Sequence, residues 1–312
     1  MSDEFNPDRP ADMGPLYRDE AWRRLGSEQF DIVVVGGGVV GVGAALDAAT
    51  RGLRVALVEA RDIASGTSSR SSKMFHGGLR YLEQLEFGLV REALRERELS
   101  LSTLAPHLVK PLPFLFPLTG RVWERPYIGA GIFLYDRMGG SKSVPGQKHV
   151  TRSGALRVAP ALKRSSLIGG IRYYDTVVDD ARHSLTVART AAHYGAVVRT
   201  STQVVGFLKE SDRVLGVRVR DTDTGETAEV RGHCVINAAG VWTDEVQALS
   251  KQRGHFKVRA SKGVHIVVPR DRIVSETAII LRTVNSVLFV IPWETHWIIG
   301  TTDTDWNLDL AH

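Results

Sequence analysis

The chain has 312 residues, of which 43% are hydrophobic and 24% are charged, and its formal net charge is +5. These values are ordinary for a protein that buries a core in one large or two smaller domains. The mild charge and the lack of a lysine- or arginine-rich block argue against nucleic acid as a partner. The single cysteine, Cys234, excludes an internal disulfide and a metal cluster built from several cysteines.

The first 29 residues contain more acidic than basic side chains and show no cationic stretch followed by an apolar one. A secretory signal needs both stretches. We therefore interpret residues 1–29 as an N-terminal extension of a cytoplasmic protein. No uncharged apolar stretch of the sequence reaches the ~18 residues that a membrane-spanning helix requires.

A strand–helix–strand unit opens the body of the chain. The pattern predicts an apolar strand over 31–35, a helix over about 39–50 and a second apolar strand over 53–59. Parallel strands that are buried on both faces have this uniformly apolar character. The order predicts an α/β fold with a Rossmann-like sheet, in a nucleotide-binding domain that we assign to residues 30–110 and 179–250.

The later elements indicate a different kind of sheet. A long helix is predicted over 79–105 and another over 180–194, each limited by a proline or glycine. Beyond residue 254, short strands follow one another closely, over 264–268, 277–281, 287–292 and 296–300. Such spacing is typical of an antiparallel sheet. We expect this sheet to form a second domain from residues 111–178 and 251–312.

The glycine pattern Gly36-x-Gly38-x-x-Gly41 lies between the first predicted strand and the first helix, and Glu59 ends the second strand. In this context Gly36 permits a tight turn, Gly38 lets the backbone approach a pyrophosphate, and Gly41 lets the helix pack against the strand. The helix N-terminus attracts the phosphates, and Glu59 can accept hydrogen bonds from a ribose. The pattern predicts a dinucleotide site and disfavours NADP, but it does not separate FAD from NAD.

A loop rich in serine follows, where a nicotinamide enzyme would continue with another plain strand–helix unit. It reads Gly66-Thr67-Ser68-Ser69-Arg70-Ser71-Ser72-Lys73, and His76-Gly77-Gly78-Leu79-Arg80-Tyr81-Leu82 comes soon after. Three further motifs are Asn237-Ala238-Ala239-Gly240, Lys262-Gly263-x-His265 and Gly300-Thr301-Thr302-Asp303. With these motifs, residues 31–303 resemble the FAD-dependent glycerol-3-phosphate dehydrogenases.

The resemblance implies a flavoprotein with FAD on the Rossmann-like sheet and an antiparallel substrate-binding (cap) sheet over the flavin. The implied reaction is oxidation of sn-glycerol 3-phosphate to dihydroxyacetone phosphate, with hydride transfer from C2 to N5 of FAD and electrons passed to quinone. In the family, a substantial C-terminal portion follows the Gly-Thr-Thr-Asp motif. We therefore expect this chain to be an N-terminal portion, with the C-terminal part of the family fold missing.

The resemblance and the residue chemistry together suggest particular site residues. Small hydroxyls suit a loop that holds a flat ligand, and the predicted FAD-binding residues are Gly36, Gly38, Gly41, Glu59, Thr67, Ser68, Ser72, Lys73, Met74, Val204, Ala239 and Gly240. For Val204 an ordinary place in a strand core fits equally well. Arg80 and Tyr81 are predicted to bind the substrate phosphate, since a phosphomonoester needs a cation with several donors. Lys262 and His265 lie on the predicted cap sheet, where we expect them to face the substrate.

His76 is the predicted general base for the C2 hydroxyl, because histidine titrates near neutral pH. A histidine that only hydrogen-bonds the flavin or the backbone fits the same sequence. A surface position on a helix is likewise the alternative for Arg80.

Several alternatives for the whole chain stay open at this point. A glycerophosphate oxidase, or another amine or hydroxyacid oxidase, would share the glycine pattern, and a truncated chain would hold FAD without turnover. The mixture of aromatic and basic residues over 121–140 suits either a membrane interface or a helix that faces the core. The sequence leaves open a homodimer and peripheral contact with the cytoplasmic face of a membrane.

Overall fold

The computed structural model describes residues 13–120, 123–139, 143–251, 257–282, 287–307 and 310. Its helices are α1 (Pro15–Ser27), α2 (Val39–Thr50), α3 (Leu79–Glu83), α4 (Phe87–Leu99), α5 (Glu124–Gly139), α6 (Arg152–Val158), α7 (Asp180–His193) and α8 (Thr243–Ala248). Its strands are β1 (Gln29–Val35), β2 (Val55–Val58), β3 (Met74–Phe75), β4 (Val109–Leu118), β5 (Lys148–Thr151), β6 (Gly169–Val178), β7 (Val197–Arg199), β8 (Thr202–Glu210), β9 (Arg213–Asp221), β10 (Thr227–Asn237), β11 (Ser261–Lys262), β12 (His265–Pro269), β13 (Ala278–Arg282), β14 (Val287–Trp293), β15 (His296–Gly300) and β16 (Thr304–Asp305).

The chain divides into two compact units. The described residues of 1–71, 180–260 and 307–312 form the first unit, and those of 72–179 and 261–306 form the second. Residues 72–110, which the sequence analysis assigns to the nucleotide-binding domain, thus belong to the second unit. The reason is that α3 and α4 supply Leu82, Val90 and Leu94 to the core of that unit.

The first unit is built on a six-stranded sheet with the order β7-β2-β1-β10-β9-β8. The pairings β7–β2, β2–β1 and β1–β10 are parallel, whereas β10–β9 and β9–β8 are antiparallel. Helices α2 and α7 contribute small side chains, among them Ala45 and Ala188, to a core cluster that contains Val34 of β1. The close approach that small side chains allow brings α2 directly onto the strands, as the glycine pattern predicts.

Helix α1 is part of the first unit, which corrects the interpretation of residues 1–29 as an extension. Ala21 and Leu25 are buried in one core cluster with Phe30. The hydroxyl of Tyr17 accepts a hydrogen bond from the N–H of Val198 at 2.9 Å. Tyr17, Ala21 and Leu25 recur every four residues, which is the spacing of one helix face.

The second unit is built on an eight-stranded sheet with the order β12-β15-β14-β13-β4-β6-β3, in which β5 also pairs with β6. Its pairings are antiparallel except for β13 with β4. One core cluster holds Ile132 and Tyr135 of α5 with Ile171 and Tyr173 of β6. A separate cluster contains Ala155 of α6 and Trp297 of β15.

The helix that the sequence predicts over 79–105 is broken into shorter pieces. Helix α3 ends at Glu83, and Leu85 has a φ of 61°, a value that cannot continue a right-handed helix. Helix α4 then runs to Leu99 and ends in a wider turn over Ser100–Leu104. Within the described part of the chain, no helix has both the length and the apolar character needed to cross a membrane.

Candidate cofactor and substrate sites

The glycine turn between β1 and α2 accepts no larger residue at two positions. Gly36 has a φ of 110°, and a Cβ there would lie 2.5 Å from the carbonyl oxygen of Ala238. A Cβ on Gly41 would overlap the carbonyl oxygen of Gly36. The absence of side chains therefore lets the first turn of α2 pack directly on the turn that follows β1.

Ser68 lies at the N-terminus of α2. Its Oγ accepts the N–H of Val39 at 2.9 Å, and a Cβ on Gly38 would lie 3.2 Å from the same oxygen. Val40 is 70% exposed, so the first turn of the helix is open to solvent. This end of α2 therefore combines the positive end of the helix dipole with a small hydroxyl, which is the chemistry that binds phosphate.

Glu59 reaches the same turn from the end of β2. Its carboxylate accepts the N–H of Gly37 at 2.6 Å and the N–H of Arg61 at 2.8 Å. An acid at this place has a second use, because a carboxylate can accept hydrogen bonds from ribose hydroxyls. The turn, the helix end and the acid together fit a dinucleotide whose pyrophosphate approaches α2.

The serine-rich loop turns tightly over Thr67–Ser69, where the side chain of Thr67 is exposed. A Cβ on Gly66 would lie 3.0 Å from the ring of Trp242, and the guanidinium of Arg61 lies 5.3 Å from the centre of that ring. Trp242 therefore packs against the loop. Trp242 follows the Asn-Ala-Ala-Gly motif by two residues in the part of the sequence that resembles the family, but it was not predicted as a site residue.

The Asn-Ala-Ala-Gly motif lies beside the glycine turn. A Cβ on Gly36 would lie 3.1 Å from the Cα of Ala239. The next residue, Gly240, has a φ of 58°. The N–H of Ala239 donates to the side chain of Asn237 at 3.2 Å. Val204 is placed differently, since its side chain is buried in the core cluster that contains Val58. That position fits the strand-core interpretation, and contact of Val204 with the cofactor stays a prediction.

In the second unit, the structure brings together Ser72 and His265, which are 193 residues apart. The Oγ of Ser72 lies 3.0 Å from Nε2 of His265. Burial and the nearby ammonium of Lys73 both lower the pKa of His265, so its neutral form is favoured. Lys73 has a φ of 58°, and its Nζ lies 5.6 Å from the centre of the Trp293 ring. Met74 is half-buried against the core.

His76 is exposed and hydrogen-bonds the backbone. Its Nδ1 accepts the N–H of Gly78 at 2.9 Å, an arrangement in which the neutral ring carries its proton on Nε2. Gly78 has a φ of 69°, and the ring of Tyr81 packs where its Cβ would be. Tyr81 itself is 39% exposed. The backbone of Arg80 is in α3, and its side chain lies outside the described part of the structure.

Lys262 is positioned by an aromatic ring. Its ammonium lies 3.8 Å from the centre of the Trp306 ring, which is a close cation–π contact. Lys262 is in β11, whereas His265 begins β12. The substrate-binding roles of Arg80, Tyr81, Lys262 and His265 remain predictions.

The fold and the glycine turn are those of a dinucleotide-binding protein. Residues 31–311 match the family described as DAO, FAD dependent oxidoreductase. The chain belongs to this family, whose cofactor is FAD.

Within the family, the chain is similar to proteins named glycerol-3-phosphate dehydrogenase. It is 81% identical to glycerol-3-phosphate dehydrogenase 2 of Mycobacterium tuberculosis, over 97% of this chain and 52% of the relative. It is 43% identical to the mitochondrial glycerol-3-phosphate dehydrogenase of Homo sapiens, over 92% of this chain and 41% of the relative. The chain therefore spans about half the length of the curated relatives that it matches.

A solved structure supports the same assignment. The glycerol-3-phosphate dehydrogenase of Bacillus halodurans, complexed with FAD, superposes with a TM-score of 0.75 at 31% identity. The match covers 95% of this chain and 51% of that one. A glycerophosphate oxidase of Mycoplasma pneumoniae, at 20% identity and a TM-score of 0.69, shares the fold.

Proposed function

We propose that this chain binds FAD and forms the flavin-binding portion of an enzyme that oxidises sn-glycerol 3-phosphate to dihydroxyacetone phosphate. The observation that carries the proposal is the turn at the start of α2, where Gly36, Gly41, Ser68 and Glu59 converge. The similarity to glycerol-3-phosphate dehydrogenases supports the choice of substrate. Bound FAD would supply a two-electron acceptor for the hydride from C2.

The proposed cofactor-binding residues lie mainly in the first unit. The open first turn of α2 and the Ser68 hydroxyl bind the pyrophosphate, and Glu59 accepts a hydrogen bond from the ribose. Ala239 and Gly240 bring backbone, without a large side chain, close to the same turn. Thr67, Ser72, Lys73 and Met74 continue the cofactor contact along the loop.

The residues of the second unit bind and deprotonate the substrate. Arg80 and Tyr81 bind the phosphate, with Lys262 and His265 as further polar contacts. His76 accepts the proton of the C2 hydroxyl. In the neutral ring of His76 the proton is on Nε2, and Nδ1 is the basic atom. When Nδ1 takes up the substrate proton, it loses the hydrogen bond from the N–H of Gly78.

Anaerobic reduction of the flavin tests this function. The visible spectrum is recorded with and without glycerol 3-phosphate, for this chain and for a fusion that continues it with the C-terminal half of the Mycobacterium tuberculosis relative (the completed chain). We expect both proteins to carry flavin and the completed chain to bleach. A flavin that glycerol 3-phosphate leaves oxidised in the completed chain would refute the substrate, and a completed chain without flavin would refute the cofactor site.

The electron acceptor is proposed to be quinone. The shared fold of the glycerophosphate oxidase makes oxygen the alternative. With the completed chain, reoxidation by a soluble quinone without peroxide supports the dehydrogenase. Stoichiometric peroxide in air would identify an oxidase instead.

We also propose that the outer face of α5 contacts a membrane surface. Ile128 and Ile132 of this helix are buried, whereas Tyr127, Phe133 and Leu134 are 52%, 51% and 42% exposed. Aromatic side chains on an outward face suit a lipid interface. Residues 121, 122 and 140 of the predicted segment lie outside the described residues.

Binding to anionic vesicles tests this contact. Replacing Tyr127 and Phe133 by serine should weaken vesicle binding severalfold, whereas Leu185→Ser on α7, a similarly exposed apolar residue, should not. Equal binding by both variants would contradict the proposal. Light scattering of the completed chain tests the homodimer that the sequence leaves open.

A further inference from the structure

A buried ion pair lies beneath the segment that carries His76. Arg97 of α4 and Asp175 of β6 are 4% and 3% exposed, and Nη1 of Arg97 lies 2.6 Å from Oδ1 of Asp175. Burial raises the pKa of Asp175, while the charges of Arg97 and His76 oppose the rise. Burying two charges costs desolvation free energy that a pair of apolar residues would not cost. A gain in stability is therefore a poor explanation for this ion pair, and the pair invites a functional one.

Tyr135 connects the ion pair to the backbone beside His76. Its hydroxyl lies 2.8 and 3.1 Å from the two carboxylate oxygens of Asp175, and it accepts the N–H of Gly77 at 2.6 Å. Burial and the charge of Asp175 raise the pKa of Tyr135 well above its ordinary value, so the hydroxyl keeps its proton. Since that single proton goes to the carboxylate, a lone pair of the oxygen is directed to Gly77.

The surroundings of Gly77 leave the peptide little freedom. A Cβ on Gly77 would overlap the side chain of Leu94 and lie 2.9 Å from the Tyr135 ring, so the backbone rests directly on these side chains. On the other side of His76, the carbonyl of Phe75 accepts the hydroxyl of Thr176 at 2.7 Å. The exposed imidazole of His76 is thus held between two anchored peptides.

We propose that Asp175, Tyr135 and Arg97 form a positioning network that fixes the His76–Gly78 backbone and thereby the place from which the imidazole of His76 takes up the substrate proton. The inference rests on the proposed function insofar as His76 is the base. Asp175 orients the Tyr135 hydroxyl, Arg97 orients Asp175, and Tyr135 places the Gly77 peptide. No member of the network is assigned a contact with the substrate, so each acts through His76.

Tyr135→Phe removes the hydroxyl and keeps the ring. In the completed chain, we expect FAD content and the KM for glycerol 3-phosphate to stay near the wild-type values. The rate constant of flavin reduction should fall about tenfold or more, with a shifted pH profile, because the base is misplaced. Tyr173→Phe is the matched control, since Tyr173 is as buried as Tyr135 and packs against it at 6.3 Å between ring centres.

An NMR readout separates this inference from the proposed function. In the 312-residue chain, the Cε1–H signal of His76 is assigned by its loss in His76→Ala and followed over pH without substrate. We expect Tyr135→Phe to shift its titration curve and Tyr173→Phe to leave it unchanged. If Tyr135→Phe does not fold, Asp175→Asn supplies the same comparison. Wild-type titration and wild-type reduction rate in the folded variant would overturn the network, whereas failure of wild-type protein to reduce flavin would overturn only the proposed function.

Discussion

The carboxylate of Glu59 accepts the backbone N–H of Gly37 at 2.6 Å, and this bond ties the end of β2 to the turn that begins α2. The same carboxylate also accepts the N–H of Arg61, in the segment that leads from β2 to the serine-rich loop. One acid therefore fixes both the glycine turn and the start of the segment that follows β2. A ribose hydroxyl would add a further donor to a group that the backbone has already oriented.

Glu59→Ala should weaken FAD binding by about tenfold to a hundredfold, since hydrogen bonds to a charged group contribute about 1.5–3 kcal/mol. Titration of the protein with FAD, followed by flavin fluorescence, gives the Kd. Glu59→Gln keeps one acceptor oxygen and should lose less. Asp47→Ala removes an exposed acid of α2 that pairs with Arg51 and should leave the Kd unchanged. An unaltered Kd in Glu59→Ala would rule out its cofactor role.

Two glycines of α2 provide a matched pair for stability. A Cβ on Gly41 would overlap the Gly36 carbonyl, whereas a Cβ on Gly43 would meet nothing within 4 Å. Gly41→Ala should therefore lower the free energy of unfolding by about 1–3 kcal/mol, as overpacking does. Gly43→Ala should raise it by about 0.5–1 kcal/mol, because alanine favours a helix. Urea unfolding measures both, and equal effects would show that the turn relaxes around an added methyl.

The sequence predicts the glycine turn well because its signals are local. Helix α2 has the bounds that the pattern predicts, and the strands on either side of it differ from the prediction by two residues at most. Glycine spacing, apolar runs and the acid after β2 all lie within 30 residues. The later short strands, from β12 to β15, also fall within one residue of their predicted bounds.

Contacts between distant residues could not be predicted in the same way. Ser72 contacts His265, and Arg97 contacts Asp175, across 193 and 78 residues of sequence. The break at Leu85 depends on a left-handed backbone conformation that its side chain does not signal. The packing of α1 could have been predicted from the four-residue spacing of Tyr17, Ala21 and Leu25. The acidic composition of the first 29 residues led instead to the prediction of an extension.

Asp221 should make the stability of the first unit depend on acid pH. Burial alone would raise the pKa of Asp221, but the N–H groups of Asp223 and Thr224, with Arg199 and Arg18, outweigh it and lower the pKa. A lowered pKa in the folded state stabilises the protein above the unfolded pKa, and that contribution is lost as pH falls through the folded value.

Asp221→Asn should therefore destabilise the protein at pH 7, and the difference from wild type should shrink as pH falls below about 4. Thermal unfolding between pH 7 and pH 3 measures it. Asp212→Asn, in the exposed turn between β8 and β9, is the control and should show no such convergence. A constant difference across this range would mean that the carboxylate charge is not what Arg199 and the backbone stabilise.

Lys73 should control the protonation of His265. The pKa of His265 is lowered by burial first and by the Lys73 ammonium second. Lys73→Gln should raise this pKa but leave it below the ordinary value, because the burial persists. NMR titration of the His265 ring measures the change. Lys262→Gln serves as control, since Lys262 is three residues away but contacts Trp306; a similar rise in both variants would argue against a specific effect of Lys73.

Arg80 and His76 should affect different kinetic constants of the completed chain. If Arg80 binds the phosphate, Arg80→Ala removes a charge-assisted contact and should raise KM for glycerol 3-phosphate strongly. If His76 is the base, His76→Ala should lower kcat by about a hundredfold or more and change KM little. Stopped-flow reduction at several substrate concentrations separates the two effects. A KM unchanged by Arg80→Ala would remove Arg80 from the phosphate site. An unaffected kcat in His76→Ala would leave His76 with only the backbone hydrogen bond to Gly78.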